Sequence, residues 1–129
     1  MLDTNAVLIL GLQSASAAGK LARAFEGQPR FVSQVCAIEI AIKQSIGKLA
    51  LPPPFQTAFV SAFNTLVEDF GASMLPIAMA HVDVLARLPL RHRDPFDRLI
   101  VSQALAEGLT IVTRDRSLAD YDGVDILGL

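Results

Sequence analysis

One cysteine, Cys36, stands in a chain of 129 residues, so no intramolecular disulfide can form. It lies among Val35, Ala37 and Ile38, where a thiol behaves as a small buried hydrophobe. No histidine sits near it in sequence to make it a nucleophile. No apolar run approaches the roughly 20 residues that a membrane span requires. The start lacks a basic segment followed by an apolar one, so no secretory leader is expected. A reducing, cytoplasmic setting is the expectation. Charge of one sign is scarce: the net value is −2, which argues neither for nor against a polyanionic partner. There is no glycine-rich phosphate loop and no Gly-x-Ser-x-Gly elbow. His81 and His92 have no metal-ligand partner at i+3 or i+4. Repeats, linkers and low-complexity tracts are absent.

What is present is an apolar α/β alternation. With 52% hydrophobic residues, the chain has enough material for one full core, and residues 1–129 are expected to form one domain. Met1 to Asp3 reads as a strand end, Asn5 to Leu12 and Ala15 to Glu26 as helices, and Arg30 to Ser33 as a strand. Ser33 can cap a helix reaching about Gly47, with Val35, Ile38, Ile42 and Ile46 as its apolar stripe. Leu51-Pro52-Pro53-Pro54 reads as a rigid connector. Phe55 to Phe70 is expected to be one helix carrying Phe55, Phe59, Phe63, Leu66 and Phe70, and Gly71 to end it. That aromatic row suits a core or a subunit interface. Ser73 to Ile77 is a strand and Ala78 to Leu88 a helix. Asp94 and Pro95 open a helix that ends at Gly108. Leu109 to Val112 is a strand, Ser117 to Tyr121 a short helix, and Val124 to Leu127 a last strand. Strands separated by helices imply a short, parallel, doubly wound sheet with helices on both faces. Met1-Leu2 is short for a central strand; either translation begins upstream or two or three residues suffice.

Four acids mark the punctuation of this pattern. Asp3 and Asp115 follow strand-like runs, Asp97 opens a helix, and Glu39 lies early in one. In such a sheet, helix N-termini and strand C-termini share the edge where ligands bind. Four carboxylates gathered there would repel one another unless protonated or bound to a hard cation. Each also has a plainer explanation. Asp3 and Asp115 precede helices, Asp97 stands three residues after Asp94 where a capping-box acid belongs, and Glu39 has Lys43 at i+4. Four coincidences at one edge are less economical than one site. Six of the eleven basic residues fall between Arg87 and Arg116, all of them arginine, the side chain best suited to phosphate.

Leu2-Asp3-Thr4-Asn5, Ile38-Glu39-Ile40-Ala41-Ile42-Lys43 with Gly47-Lys48-Leu49 and Leu51-Pro52, His92-Arg93-Asp94-Pro95-Phe96-Asp97-Arg98-Leu99-Ile100, and Thr113-Arg114-Asp115 together resemble the PIN domain. More narrowly, they resemble VapC-type toxins of bacterial toxin–antitoxin pairs. The likeness runs through essentially the whole chain. It departs in the short first strand and in Ile38, where an aromatic is usual.

The resemblance implies a Mg²⁺- or Mn²⁺-dependent endoribonuclease with Asp3, Glu39, Asp97 and Asp115 as its catalytic and metal-binding acids. Asn5 and Thr113 would support them. Asp94 matches a frequent family acid, but it reads equally well as a cap and stays outside the metal set. Arg98, Arg114 and Arg116 would hold phosphates of single-stranded or looped RNA. The implied partners are a cognate antitoxin and a second copy in a homodimer. A structure-specific 5′-nuclease and a non-catalytic α/β binding module are the alternatives.

Overall fold

The computed structural model describes residues 1–12 and 27–129; the helix expected over Ala15 to Glu26 lies outside them. The elements run α1 (Thr4–Leu12), β1 (Phe31–Ser33), α2 (Gln34–Ser45), α3 (Pro53–Thr57), α4 (Phe59–Asp69), β2 (Ser73–Leu75), α5 (Met79–Arg87), α6 (Pro95–Glu107), β3 (Ile111–Thr113), a 3-10 helix (Arg116–Asp120) and β4 (Ile126–Gly128). Strands β1 and β2 pair in parallel, as do β3 and β4. Leu2 joins the two pairs through parallel bridges to Val32 and Val112. Its N–H donates to the Phe31 carbonyl at 2.9 Å, and the Val112 N–H donates to the Met1 carbonyl at 2.7 Å. The middle of the sheet is thus one bridging residue, shorter than the strand expected there. The order is β2, β1, Leu2, β3, β4.

Local chemistry sets the element boundaries that matter for the acids. Asp94 caps α6, its Oδ1 accepting from the N–H groups of Phe96 and Asp97, with Pro95 in the first turn and Gly108 at φ +64° closing the helix. Ser33 Oγ accepts the Val35 N–H at 2.9 Å and so starts α2 directly from β1. The Ser33 hydroxyl also donates to Gln103 Oε1, tying that start to α6. Gln103 donates to the Pro76 carbonyl at 3.1 Å. His81 is buried beside it. Its Nδ1 accepts the Ala78 N–H at 3.0 Å, so Nε2 carries the proton and faces Glu107 Oε1 at 2.8 Å. A satisfied polar chain therefore links the start of α2 to α6 and α5. Cys36 is fully buried with Sγ 3.6 Å from the Leu2 carbonyl, and burial pushes its thiol up to about 12.

Three expectations need correction. The aromatic helix is broken at Ala58, which takes φ −147°. The prolines expected in a rigid connector instead start α3, and its last N–H, from Ala58, bonds back to the Pro54 carbonyl at 2.9 Å. The break does not scatter the rings: Phe55 meets Phe59 edge-on and Phe59 stacks on Phe63, both at 5.9 Å. Phe55 and Phe63 are buried, so the row is largely core. The α2 stripe is the reverse case. Val35 is buried, but Ile38, Ile42 and Ile46 are 45%, 43% and 58% exposed. The inward face of α2 carries Val35, Cys36, Glu39 and Ile40 instead.

Candidate active site

Asp3 follows the bridging residue Leu2, and Asp115 follows β3 by two residues. Asp97 sits in the first turn of α6, and Glu39 lies six residues after the Ser33 cap of α2. Sheet geometry brings these points to the same end of the strands. Asp3 is held on both oxygens: Oδ1 accepts the Ala6 N–H at 2.7 Å and Oδ2 accepts the Thr113 hydroxyl. Thr113 Oγ1 also accepts the Asp115 N–H at 2.8 Å, so one hydroxyl positions two acids. Glu39 accepts the Thr4 hydroxyl on Oε2 and pairs with Lys43 through Oε1. Asp115 Oδ1 accepts the Ser117 N–H at 2.9 Å and the Ser117 hydroxyl at 2.6 Å.

Electrostatics shows that the carboxyls sense one another. Burial pushes the Asp97 carboxyl up to about 6, with Asp94, Glu39, Asp115 and Asp3 each adding repulsion. Burial also raises Asp3, against the hydrogen bonds of Thr113 and Ala6, and Glu39 and Asp115 raise it further. Asp115 is lowered, chiefly by the two Ser117 hydrogen bonds. Repulsion at this edge falls mainly on Asp97 and Asp3, which a cation would relieve.

Among the described residues, no three acids, histidines or cysteines stand close enough together to form a ready-made metal cage. Mg²⁺ does not require one, because it usually takes one or two carboxylates directly and keeps several waters. The donor set, all carboxylate oxygen, suits a hard divalent ion. Asp3 and Asp97 are the two whose charge is least compensated.

Some supporting residues differ from expectation. Asn5 is exposed, and the hydroxyl on Glu39 comes from its neighbour Thr4. Ser117, read only as the start of a short helix, fixes Asp115. The signal for Ser117 was adjacency, a hydroxyl two residues after an acid, whereas Thr4 is 35 residues from its partner Glu39 and gave none. Arg98 donates to the Pro89 carbonyl at 2.9 Å and the Leu88 carbonyl at 3.1 Å. Its guanidinium therefore braces a loop rather than standing ready for phosphate. Arg114 and Arg116 are exposed.

Asp94 is a cap that also loads charge onto Asp97. Asp94→Ala is expected to cost about 1 kcal/mol of stability, read by chemical denaturation. It should also bring the Asp97 carboxyl down from about 6, read by carboxyl-carbon NMR. An unshifted Asp97 titration would contradict that coupling.

Comparison with known proteins places this geometry. The chain resembles VapBC2 of Rickettsia felis, solved bound to a DNA fragment from its promoter, at TM-score 0.72 and 16% identity, over 100% of this chain and 97% of that one. DNA-bound VapBC of Salmonella typhimurium gives 0.73 and 18%, over 99% and 96%. FitAcB of Neisseria gonorrhoeae gives 0.69 and 17%, over 98% and 94%. No curated protein sequence matches significantly. The PIN domain family model matches residues 1–124, and a chain carrying that match through this α/β fold belongs to the PIN domain family.

Proposed function

We propose that this PIN domain is a Mg²⁺- or Mn²⁺-dependent endoribonuclease, the toxin half of a toxin–antitoxin pair, acting on single-stranded or looped RNA. The observation that carries the reading is the gathering of Asp3, Glu39, Asp97 and Asp115 at one sheet edge, where burial first and neighbouring carboxylates second raise Asp97 and Asp3. Asp3 and Asp97 would ligate the ion, with Glu39 and Asp115 reaching it through water. Such an ion, when bound, would supply a water of lowered pKa and charge neutralisation at the phosphate. The protein's own contribution is orientation. Thr113 sets Asp3 and Asp115 together, Thr4 and Lys43 hold Glu39, and Ser117 keeps Asp115 ionised. Arg114 and Arg116 supply positive charge for the backbone on either side of Asp115.

The partner reading rests on a second surface. A groove of about 300 Å³ between α2 and α4 is lined by Ile38, Phe59, Val60, Phe63 and Met74, among others. Ile38 neighbours Glu39 in α2. An antitoxin helix in this groove, with a basic side chain reaching the acids, would block metal and RNA together. A homodimer is the remaining expected assembly. The solved VapBC and FitAB complexes, with the same fold, support an antitoxin partner.

Circular and linear single-stranded RNAs incubated with the purified protein test the activity. Cleavage of both in Mg²⁺, lost completely in EDTA, is expected. Cleavage of the linear RNA alone would favour the 5′-nuclease reading. Cleavage surviving EDTA would remove the metal. No cleavage, and no rise in melting temperature with Mg²⁺ or Mn²⁺, would leave a non-catalytic binding module.

A further inference from the structure

The loop between α5 and α6, residues 88–94, is short of regular structure yet fastened along its length. Arg98 donates from Nη1 to the Pro89 carbonyl and from Nη2 to the Leu88 carbonyl. The Arg91 N–H returns to the Pro89 carbonyl at 2.9 Å. At its far end Asp94 caps α6. In its middle His92 reaches across to the segment after Asp115. The His92 backbone N–H donates to the Tyr121 hydroxyl at 3.0 Å, and Nε2 lies 2.7 Å from the Ser117 carbonyl. A carbonyl can only accept, so Nε2 carries the proton. The two rings pack with centroids 5.3 Å apart. Tyr121 is buried, and Ser117 is the residue that grips Asp115.

His92 is turned inward and half-buried, whereas Arg91 and Arg93 on either side of it are exposed. Neither takes part in any ion pair among the described residues, unlike Arg87, which pairs with Asp83. Arg114 and Arg116 are likewise exposed, on the segment that His92 grips. Four arginines therefore stand on two strips of chain joined by one histidine, flanking the acids. Positive side chains without carboxylate partners, on a braced backbone, suit successive phosphates of a nucleic-acid strand, because no ion pair must break before they meet phosphate and the counterions released favour binding.

We propose that Arg91 and Arg93 form a phosphate-binding arm for single-stranded RNA, and that His92 is the positioning residue that docks this arm to the Asp115 segment. The inference rests on the ribonuclease reading, and it assigns roles to His92 and Arg93, which the family-like segment contains, and to Arg91, which it does not. His92 itself touches no RNA.

The test uses full-length protein in an Asp97→Asn background, so that RNA survives the measurement, with a short fluorescein-labelled single-stranded RNA of mixed sequence in Mg²⁺. Arg91→Ala with Arg93→Ala is expected to weaken binding by about 10-fold or more. It should reduce the steepness of log Kd against log salt by about 1.4, two single-strand phosphate contacts at roughly 0.7 each. His92→Ala removes no arginine, yet is expected to weaken binding several-fold. His92→Gln, whose amide N–H can still reach the Ser117 carbonyl, should recover most of the loss. Recovery separates positioning from general destabilisation, and melting curves of each variant confirm that it is folded. Wild-type affinity and salt slope in the double arginine variant would overturn the arm. A folded His92→Ala protein with wild-type affinity would overturn the positioning role. If the parent binds no RNA, the ribonuclease reading and the arm fall together; if the parent binds and the variants match it, the arm alone falls.

Discussion

Asp97→Asn is expected to abolish RNA cleavage, by at least 100-fold, while making the protein more stable at neutral pH. The activity loss follows from removing a direct ligand of the proposed ion. The stability gain follows from linkage. An unfolded aspartate titrates near 4, and the folded Asp97 carboxyl near 6. Below about pH 4 both states hold the proton and the residue costs nothing. As pH rises through 6, the folded state must release its proton into a crowded, half-buried site, and stability falls. Raising the carboxyl from near 4 to about 6 corresponds to about 3 kcal/mol, and solvent screening at this partly exposed residue reduces that to about 1–2 kcal/mol. Asparagine removes the penalty. The gain should be full at pH 7 and vanish near pH 4, and Mg²⁺ should stabilise the parent but not the variant. Urea denaturation at the two pH values, with and without Mg²⁺, measures all of this. An Asp97→Asn protein that is less stable at pH 7, or that cuts RNA at the parent rate, would take Asp97 out of the site.

The second large effect is expected at Thr113, which touches no substrate. Its hydroxyl donates to Asp3 Oδ2 and accepts the Asp115 N–H, and the residue is 1% exposed. Thr113→Val keeps the shape and deletes both bonds. Leaving a buried carboxylate oxygen and a backbone N–H short of partners costs about 2–3 kcal/mol. The Thr113 hydrogen bond also restrains the upward shift of Asp3, so its loss raises that carboxyl further. Cleavage should fall at least 10-fold at pH 7, and the acid limb of its pH profile should move upward. Thr113→Ser retains the hydroxyl and should behave nearly as wild type in both assays. A Thr113→Val protein with parental stability and pH profile would show that the shared hydroxyl does not organise the acids.

Much of this was legible because capping chemistry is local. Asp94-Pro95 and Gly108 bracket α6, and Ser33 starts α2, through hydrogen bonds between residues only two to four apart. What was illegible depended on partners far away. Ile38, Ile42 and Ile46 recur with helical spacing as core residues do, but no strand or helix covers that face of α2 among the described residues. Period reveals a face, not which side faces inward. The break at Ala58 carries no glycine or proline of its own; it comes from the end of the short helix begun by Pro53. Arg98 looked like a phosphate ligand by position beside Asp97, and only the fold revealed that carbonyls of Leu88 and Pro89 take its guanidinium. Thr4 was hidden for the same reason, since its partner Glu39 is 35 residues away.

The single-residue seam at Leu2 has a consequence in time. Leu2 bridges to Val112, and Asp3 meets Thr113 across a separation of 110 residues. A growing chain can pair β1 with β2 early, yet the acidic edge cannot close until the β3 segment has left the ribosome. At about 5–20 residues per second that interval is roughly 5–20 s. Through most of it, Asp3 and Glu39 exist without Asp97 and Asp115, so on the proposed ribonuclease reading a nascent chain would spare the RNA being translated beside it. On that reading, activity would begin only once Thr113 and Asp115 reach back to Asp3.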